Sequence, residues 1–265
     1  MAEFYDTHAH LDFHDFQPDL DQVVERALAA GITRILCVGT TLESSRRVVA
    51  LAERFACVYA VVGVHPNHAH EEPEAILAPL RDLAAHPKVV ALGETGVDRY
   101  RWGGLSPVEI EERQRRQASA FDQQLALAAE LGLPCVIHQR DAFAAALSHL
   151  EPYRGRVPFV FHCFTGTVEE ARAVLEAGGL LSFTGITTFK NAQNVRDALG
   201  VVPLGKLMLE TDCPFLAPLP YRGKRCEPAF VRDLAPVVAE VKGCSLEALS
   251  TATCSTARAF FPRLH

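Results

Sequence analysis

The sequence lacks the marks of several protein classes. Its eight cysteines include no Cys-x-x-Cys pair, and most sit in apolar segments, as Cys37 does in Ile-Leu-Cys-Val and Cys135 in Pro-Cys-Val-Ile. Such residues behave as small buried hydrophobes, so free thiols are expected rather than a disulfide framework. No apolar run approaches the ~18 residues that a membrane span needs. The first residues, Ala2-Glu-Phe-Tyr-Asp6, have neither a basic flank nor an apolar stretch, which predicts no signal peptide, no membrane association and a cytoplasmic location. An excess of positive charge is missing too. With 26 Lys and Arg against 32 Asp and Glu the net charge is −6, which excludes general attraction to a polyanion. No interleaved run of aromatic and basic residues marks a long single-strand groove, so any dealing with nucleic acid must come from a local feature. Solenoid repeats, linkers and low-complexity tracts are absent as well, and no added interaction module points to an obligate protein partner.

What remains is ordinary globular composition: 265 residues, 49% hydrophobic and 22% charged, with 17 Gly and 16 Pro. A chain of this length buries roughly 70–75% of its unfolded surface, and α/β barrels of about 250 residues fold as one unit. We therefore expect residues 1–265 to form a single domain.

Short β-rich apolar runs occur at 3–6, 32–38, 58–64, 89–93, 134–138, 157–162, 180–183 and 206–210, with helically spaced segments between them. Helix starts are marked at Ser106-Pro-Val-Glu109 and Thr167-Val-Glu-Glu170, both capping boxes. Stops are marked at Gly31, Gly132, Gly178-Gly179 and Gly200. Eight near-continuous apolar strands alternating with helices predict a parallel sheet covered on both faces, closed as a (β/α)8 TIM barrel. A doubly wound open sheet would need a glycine-rich turn after the first strand; Thr7-His8-Ala9-His10 stands there instead. The tail from about 227 to 261 supplies one or two helices to cap the barrel.

The eleven histidines are the local feature. His8 and His10 follow the first strand, His65 the third, Glu94 the fourth, and Asp212 the eighth, while His138 and His162 end the fifth and sixth. All lie at carboxyl ends, which converge on the face where barrels keep their active sites. His14, His68, His70, His86, His149 and His265 read instead as solvated residues of loops and helix ends. Imidazole and carboxylate are ligands for Zn, Mn or Mg. His8, His10, Glu94, His138, His162 and Asp212 are too many for one catalytic ion with an open position, and fit two sharing Glu94 as a bridge. Four neutral imidazoles and two carboxylates carry −2, which two divalent ions turn into a pocket of net +2 inside a chain of net −6. Such a centre binds phosphate and activates water for in-line attack at phosphorus.

Six motifs in order carry a resemblance. They are Asp6-Thr-His-Ala-His10-Leu-Asp12, Gly93-Glu-Thr-Gly-Val-Asp98, His138 before Arg140-Asp141-Ala142, His162-Cys-Phe-Thr-Gly166, Leu209-Glu-Thr-Asp-Cys-Pro214 and Pro220-Tyr-Arg-Gly-Lys-Arg225. Together they resemble the TatD family of metal-dependent deoxyribonucleases over residues 4 to about 261. The resemblance implies an amidohydrolase-type TIM barrel, a divalent metal site and exonuclease action on DNA, commonly 3′ to 5′. The family's ligands fall on the same six residues. His65 corresponds to a substrate phosphate contact, and Tyr221 and Arg222 are candidate phosphate contacts, since Arg suits bidentate phosphate binding. Asp212 would position or deprotonate the attacking water. Three positions depart from the pattern: Arg99, Cys226 and Cys254, none of them among the six. RNA as a second substrate stays open. A competing reading keeps the barrel but hydrolyses an amide, ester or cyclic imide of a small molecule. Barrels of that kind often bridge their metals with a modified lysine on the fourth strand; here Lys88 lies at the wrong end of it.

Overall fold

Runs of Val, Ile and Leu too short for helices become the strands of the computed structural model, which describes residues 2–100 and 102–265. Among the described residues there are eight: β1 (Phe4–Ala9), β2 (Ile32–Val38), β3 (Val58–Val62), β4 (Val89–Asp98), β5 (Cys135–Arg140), β6 (Phe159–Phe161), β7 (Leu180–Phe183) and β8 (Leu207–Leu209). All pair in parallel with their sequence neighbours, in the order β1 to β8. The circle closes just beyond β8, where Ala9 bridges Cys213. There the His10 N–H donates to the Cys213 carbonyl at 2.8 Å and the Asp212 N–H to the His8 carbonyl at 2.9 Å. This is the (β/α)8 barrel that the alternation predicted.

The helices are α1 (Leu20–Ala29), α2 (Leu42–Arg54), α3 (Leu77–Ala84), α4 (Pro107–Leu131), α5 (Phe143–Leu150), α6 (Val168–Glu176), α7 (Gln193–Val201), α8 (Val231–Lys242) and α9 (Leu246–Phe260). Both capping boxes form, and Gly132 ends α4 in the left-handed conformation. Gly200 does not stop its helix; it lies in the last turn of α7, which ends before Pro203.

Alternation along each strand makes two cores. In β2 and β3, Ile35, Cys37, Ala60 and Val62 face the helices. Leu36, Val38, Tyr59 and Val61 fill the barrel with Val90, Val136 and Met208. Helix α8 completes the ring, so only α9 caps. Its Ala257 and Phe260, with Phe261 just after it, join the interior cluster, Cys254 Sγ reaches the Glu3 carbonyl, and the Tyr59 hydroxyl donates to the His265 carbonyl at 2.7 Å. The floor under the amino ends of the strands is thus sealed, leaving the carboxyl ends for chemistry.

Strand β4 is longer than its apolar run. Gly and Asp usually mark turns, yet Glu94-Thr-Gly-Val-Asp98 stays in the ladder, with Gly96 opposite His138 and Asp98 opposite Arg140. Glycine permits this: Gly96 has φ +143, and a Cβ there would come within 1.9 Å of the His138 carbonyl oxygen. Gly96→Ala is therefore expected to cost on the order of 3 kcal/mol or more, through a backbone clash as well as a forbidden φ. A urea unfolding midpoint reads this directly; an unchanged midpoint would show that β4 and β5 can part at no cost.

Candidate metal centre

Glu94 is 2% exposed and sits between two groups of imidazoles. Its Oε1 lies 2.7 Å from His138 Nδ1 and 2.7 Å from His162 Nε2. Its Oε2 lies 3.4 Å from His8 Nε2 and 3.8 Å from His10 Nε2. Asp212 Oδ1 completes the second group, 3.3 Å from His10 Nε2 and 3.8 Å from His8 Nε2. The six residues singled out from strand ends thus meet at one rim, delivered by β1, β4, β5 and by the residues after β1, β6 and β8.

Hydrogen bonding decides which nitrogen lone pairs face inward. His10 Nδ1 is 2.9 Å from the Val38 carbonyl, which can only accept, so Nδ1 carries the proton and Nε2 presents a lone pair. His138 Nε2 is 3.0 Å from Asp98 Oδ2; donation there leaves Nδ1 bare against Glu94. His8 Nε2 faces the His10 lone pair at 3.3 Å. Inward-facing lone pairs and carboxylate oxygens repel unless a proton or a cation lies among them, and the donor set fits divalent ions.

Protonation follows the same logic. Burial opposes charge throughout the site. It is overcome at Glu94, held well below the usual carboxylate range by His162 and His65, and at Asp212, lowered by His10. His10 rises to about 9 because Asp212 outweighs its burial, and His162 rises through Glu94 and Glu210. A cation entering beside His10 must displace that proton. Binding of Mn²⁺ is thus expected to release protons and to tighten as pH rises toward 9. Calorimetry in buffers of different ionisation enthalpy measures the release; pH-independent affinity between 6 and 9 would contradict it.

His65 behaves differently. Its Nδ1 accepts from the Asn67 N–H at 3.0 Å, so its one proton sits on Nε2, 3.5 Å from Glu94 Oε1. Burial drives its pKa down to about 3. It is a neutral donor aimed into the cleft, suited to an anionic oxygen rather than to a metal.

Two carboxylates escaped sequence reasoning. Asp98 is buried, accepts from Asn67 Nδ2 at 2.9 Å and orients His138. Glu210 accepts from Ser182 Oγ and the Cys163 N–H, and lies 3.5 Å from His162 Nδ1. Both stand inside the quoted motifs, an even number of residues from Glu94 and Asp212, which was the available signal for a shared strand face. Carboxylates behind metal-binding histidines fix ring orientation and raise basicity.

A cleft of about 750 Å³ opens over the centre. His68 and His70, read from sequence as a solvated turn, line it with Arg113 and Arg140. His149 and His86 pair with Asp122 and Glu53 instead. Tyr221 and Arg222 are not brought to the cleft. Tyr221 stacks on Phe230 at 4.5 Å and the Arg222 guanidinium lies 4.3 Å from the Phe189 ring, which holds their loop elsewhere. Cys226 and Cys254 are buried and Arg99 is exposed beside Trp102; none of the three lines the cleft, and all eight cysteines are free. Lys88 Nζ donates to the Ala52 and Phe55 carbonyls at the amino end of β4, far from any bridging role. Among the described residues no helix is long and apolar enough to cross a membrane.

The TatD related DNase family profile matches residues 5–262. A Bacillus subtilis protein described as the uncharacterized metal-dependent hydrolase YabD is 40% identical over 258 residues, covering 97% of this chain and 98% of its own length. The 3′-5′ ssDNA/RNA exonuclease TatD of Cronobacter turicensis is 38% identical over 263 residues, covering 97% of each. The crystal structure of YjjV, a TatD homologue from Escherichia coli, superposes with a TM-score of 0.89 at 29% identity, covering 98% of both chains.

Proposed function

The chain belongs to the TatD family of metal-dependent hydrolases, and from that premise we propose that it cleaves phosphodiester bonds of DNA from the 3′ end at a two-metal centre. What supports this reading most is Glu94, whose Oε1 faces His138 and His162 while its Oε2 faces His8 and His10. His8, His10, Asp212 and Glu94 would hold one divalent ion and Glu94, His138 and His162 the other. Mg, Mn and Zn are the candidates. Ions so held supply Lewis acidity at the phosphoryl oxygens and acidify water.

The side chains do the rest. Asp212, held ionised by His10, takes the proton of the attacking water. His65 Nε2–H donates to a non-bridging phosphoryl oxygen. The bond from water to phosphorus forms as the bond to the 3′ oxygen breaks, that oxygen gains a proton, and a 5′-mononucleotide leaves. The whole chain, 1–265, would act as one domain. The small-molecule reading is disfavoured by Glu94 at the bridge and by a cleft in the upper half of the usual range for ligand sites, roughly 300–1,000 Å³.

The experiment is a 5′-labelled oligonucleotide, DNA or RNA, incubated with Mn²⁺ or Mg²⁺. A ladder shortening from the 3′ end is expected, stopped by chelator. Metal-loaded protein that leaves both strands intact would contradict the proposal.

A further inference from the structure

The cleft has two unlike walls. Arg113 of α4, which follows β4, and Arg140 at the end of β5 come from one arc of the barrel; Phe13, Ile186 and Phe215, which follow β1, β7 and β8, come from the opposite arc. The arginines are notable for what they lack. Arg115 and Arg116 of the same helix pair with Glu112 and Glu74, but neither Arg113 nor Arg140 has a carboxylate partner among the described residues. The Arg140 guanidinium is instead carried 3.4 Å from the Tyr100 ring centroid, which orients it without neutralising it.

Across the cleft, Phe215 is 51% exposed. Two contacts set its place. Its N–H donates to the Asp212 carbonyl at 3.0 Å, and its ring meets Phe13 edge to face at 6.0 Å. Phe13 in turn lies flat on His10, 4.8 Å between centroids. A bare aromatic ring is thus tied through two contacts to the metal centre. A large apolar ring held in water beside a phosphate-binding centre is complementary to a flat apolar group carried on that phosphate.

We propose that Phe215, backed by Phe13, is the platform on which the base of the 3′-terminal nucleotide stacks, while Arg140 and Arg113 take the phosphate of the adjoining nucleotide. This rests on the nuclease reading and deepens it. The cleft sorts bases to one wall and backbone to the other, so the terminal base must leave its pairing partner before its phosphate reaches the centre.

The test compares two single strands, one with an ordinary 3′-terminal nucleotide and one with an abasic 3′ terminus, for wild type, Phe215→Ala, Phe215→Trp and Val108→Ala, the last an exposed apolar residue of α4 outside the cleft. The wild-type protein is expected to favour the intact strand about tenfold or more in kcat/KM, within the range of one base–aromatic stack. Phe215→Ala is expected to lose most of that preference, while Phe215→Trp and Val108→Ala keep it. Arg140→Ala is expected to lower kcat/KM on both strands alike and flatten its salt dependence. Thermal midpoints with Mn²⁺ check that each variant folds. Cleavage of both strands at equal rates by the wild type, or a preference that survives Phe215→Ala, would overturn the platform and leave the nuclease reading standing. No cleavage of either strand by any variant would overturn both.

Discussion

Asp212→Asn is expected to lower the rate of oligonucleotide hydrolysis by about 10³-fold at saturating metal, within the range for loss of a positioned base. The substitution keeps the shape of the side chain and its N–H contact to the His8 carbonyl, which is made by the backbone. The barrel closure beside β1 therefore survives, and the thermal midpoint should stay within a few degrees. What changes is charge. The amide cannot take a proton from water, and it no longer balances His10, whose proton Asp212 holds up to about 9. His10 then titrates lower and competes less for a cation, so metal content should persist while the rate falls. A variant with wild-type rate at saturating metal would remove Asp212 from the chemistry; one whose lost rate returns in full with added metal would leave it a ligand and not a base.

Glu94→Gln is expected to be the more damaging substitution, with loss of at least one ion per chain and a rate at least 10³-fold down. An amide offers one oxygen where the carboxylate offers two, and Glu94 uses both: Oε1 faces His138 and His162, and Oε2 faces His8 and His10. Whichever way the amide turns, one set of imidazoles faces an N–H pair that cannot ligate. Metal analysis of the purified variant separates this from a purely kinetic effect. Two tightly held ions and a normal rate would show that Glu94 bridges nothing.

Much of this was legible in the residues. The barrel followed from eight apolar runs separated by capped helices, and the convergence of His8, His10, Glu94, His138, His162 and Asp212 followed from their place at strand ends. Less legible was anything set by contacts between distant segments. Asp98 and Glu210 were hidden because a carboxylate two or four residues from a candidate ligand looks like ordinary loop polarity until His138 and His162 are seen against it. The basic and aromatic walls were invisible for the same reason. No stretch of sequence interleaves the two types, yet Arg113, Arg140, Phe13 and Phe215 come together from four separate segments. Tyr221 and Arg222 misled in the opposite sense. An Arg beside a Tyr in a basic loop reads as a pair of phosphate contacts, whereas Tyr221 stacks on Phe230 and Arg222 lies over Phe189, away from the cleft.

Crystals of the protein grown with Mn²⁺ and measured at the manganese absorption edge test the central claim most directly. Two anomalous peaks about 3.5–4 Å apart, one against each oxygen of Glu94, are the predicted result. A single peak, or peaks lying away from Glu94, would contradict it.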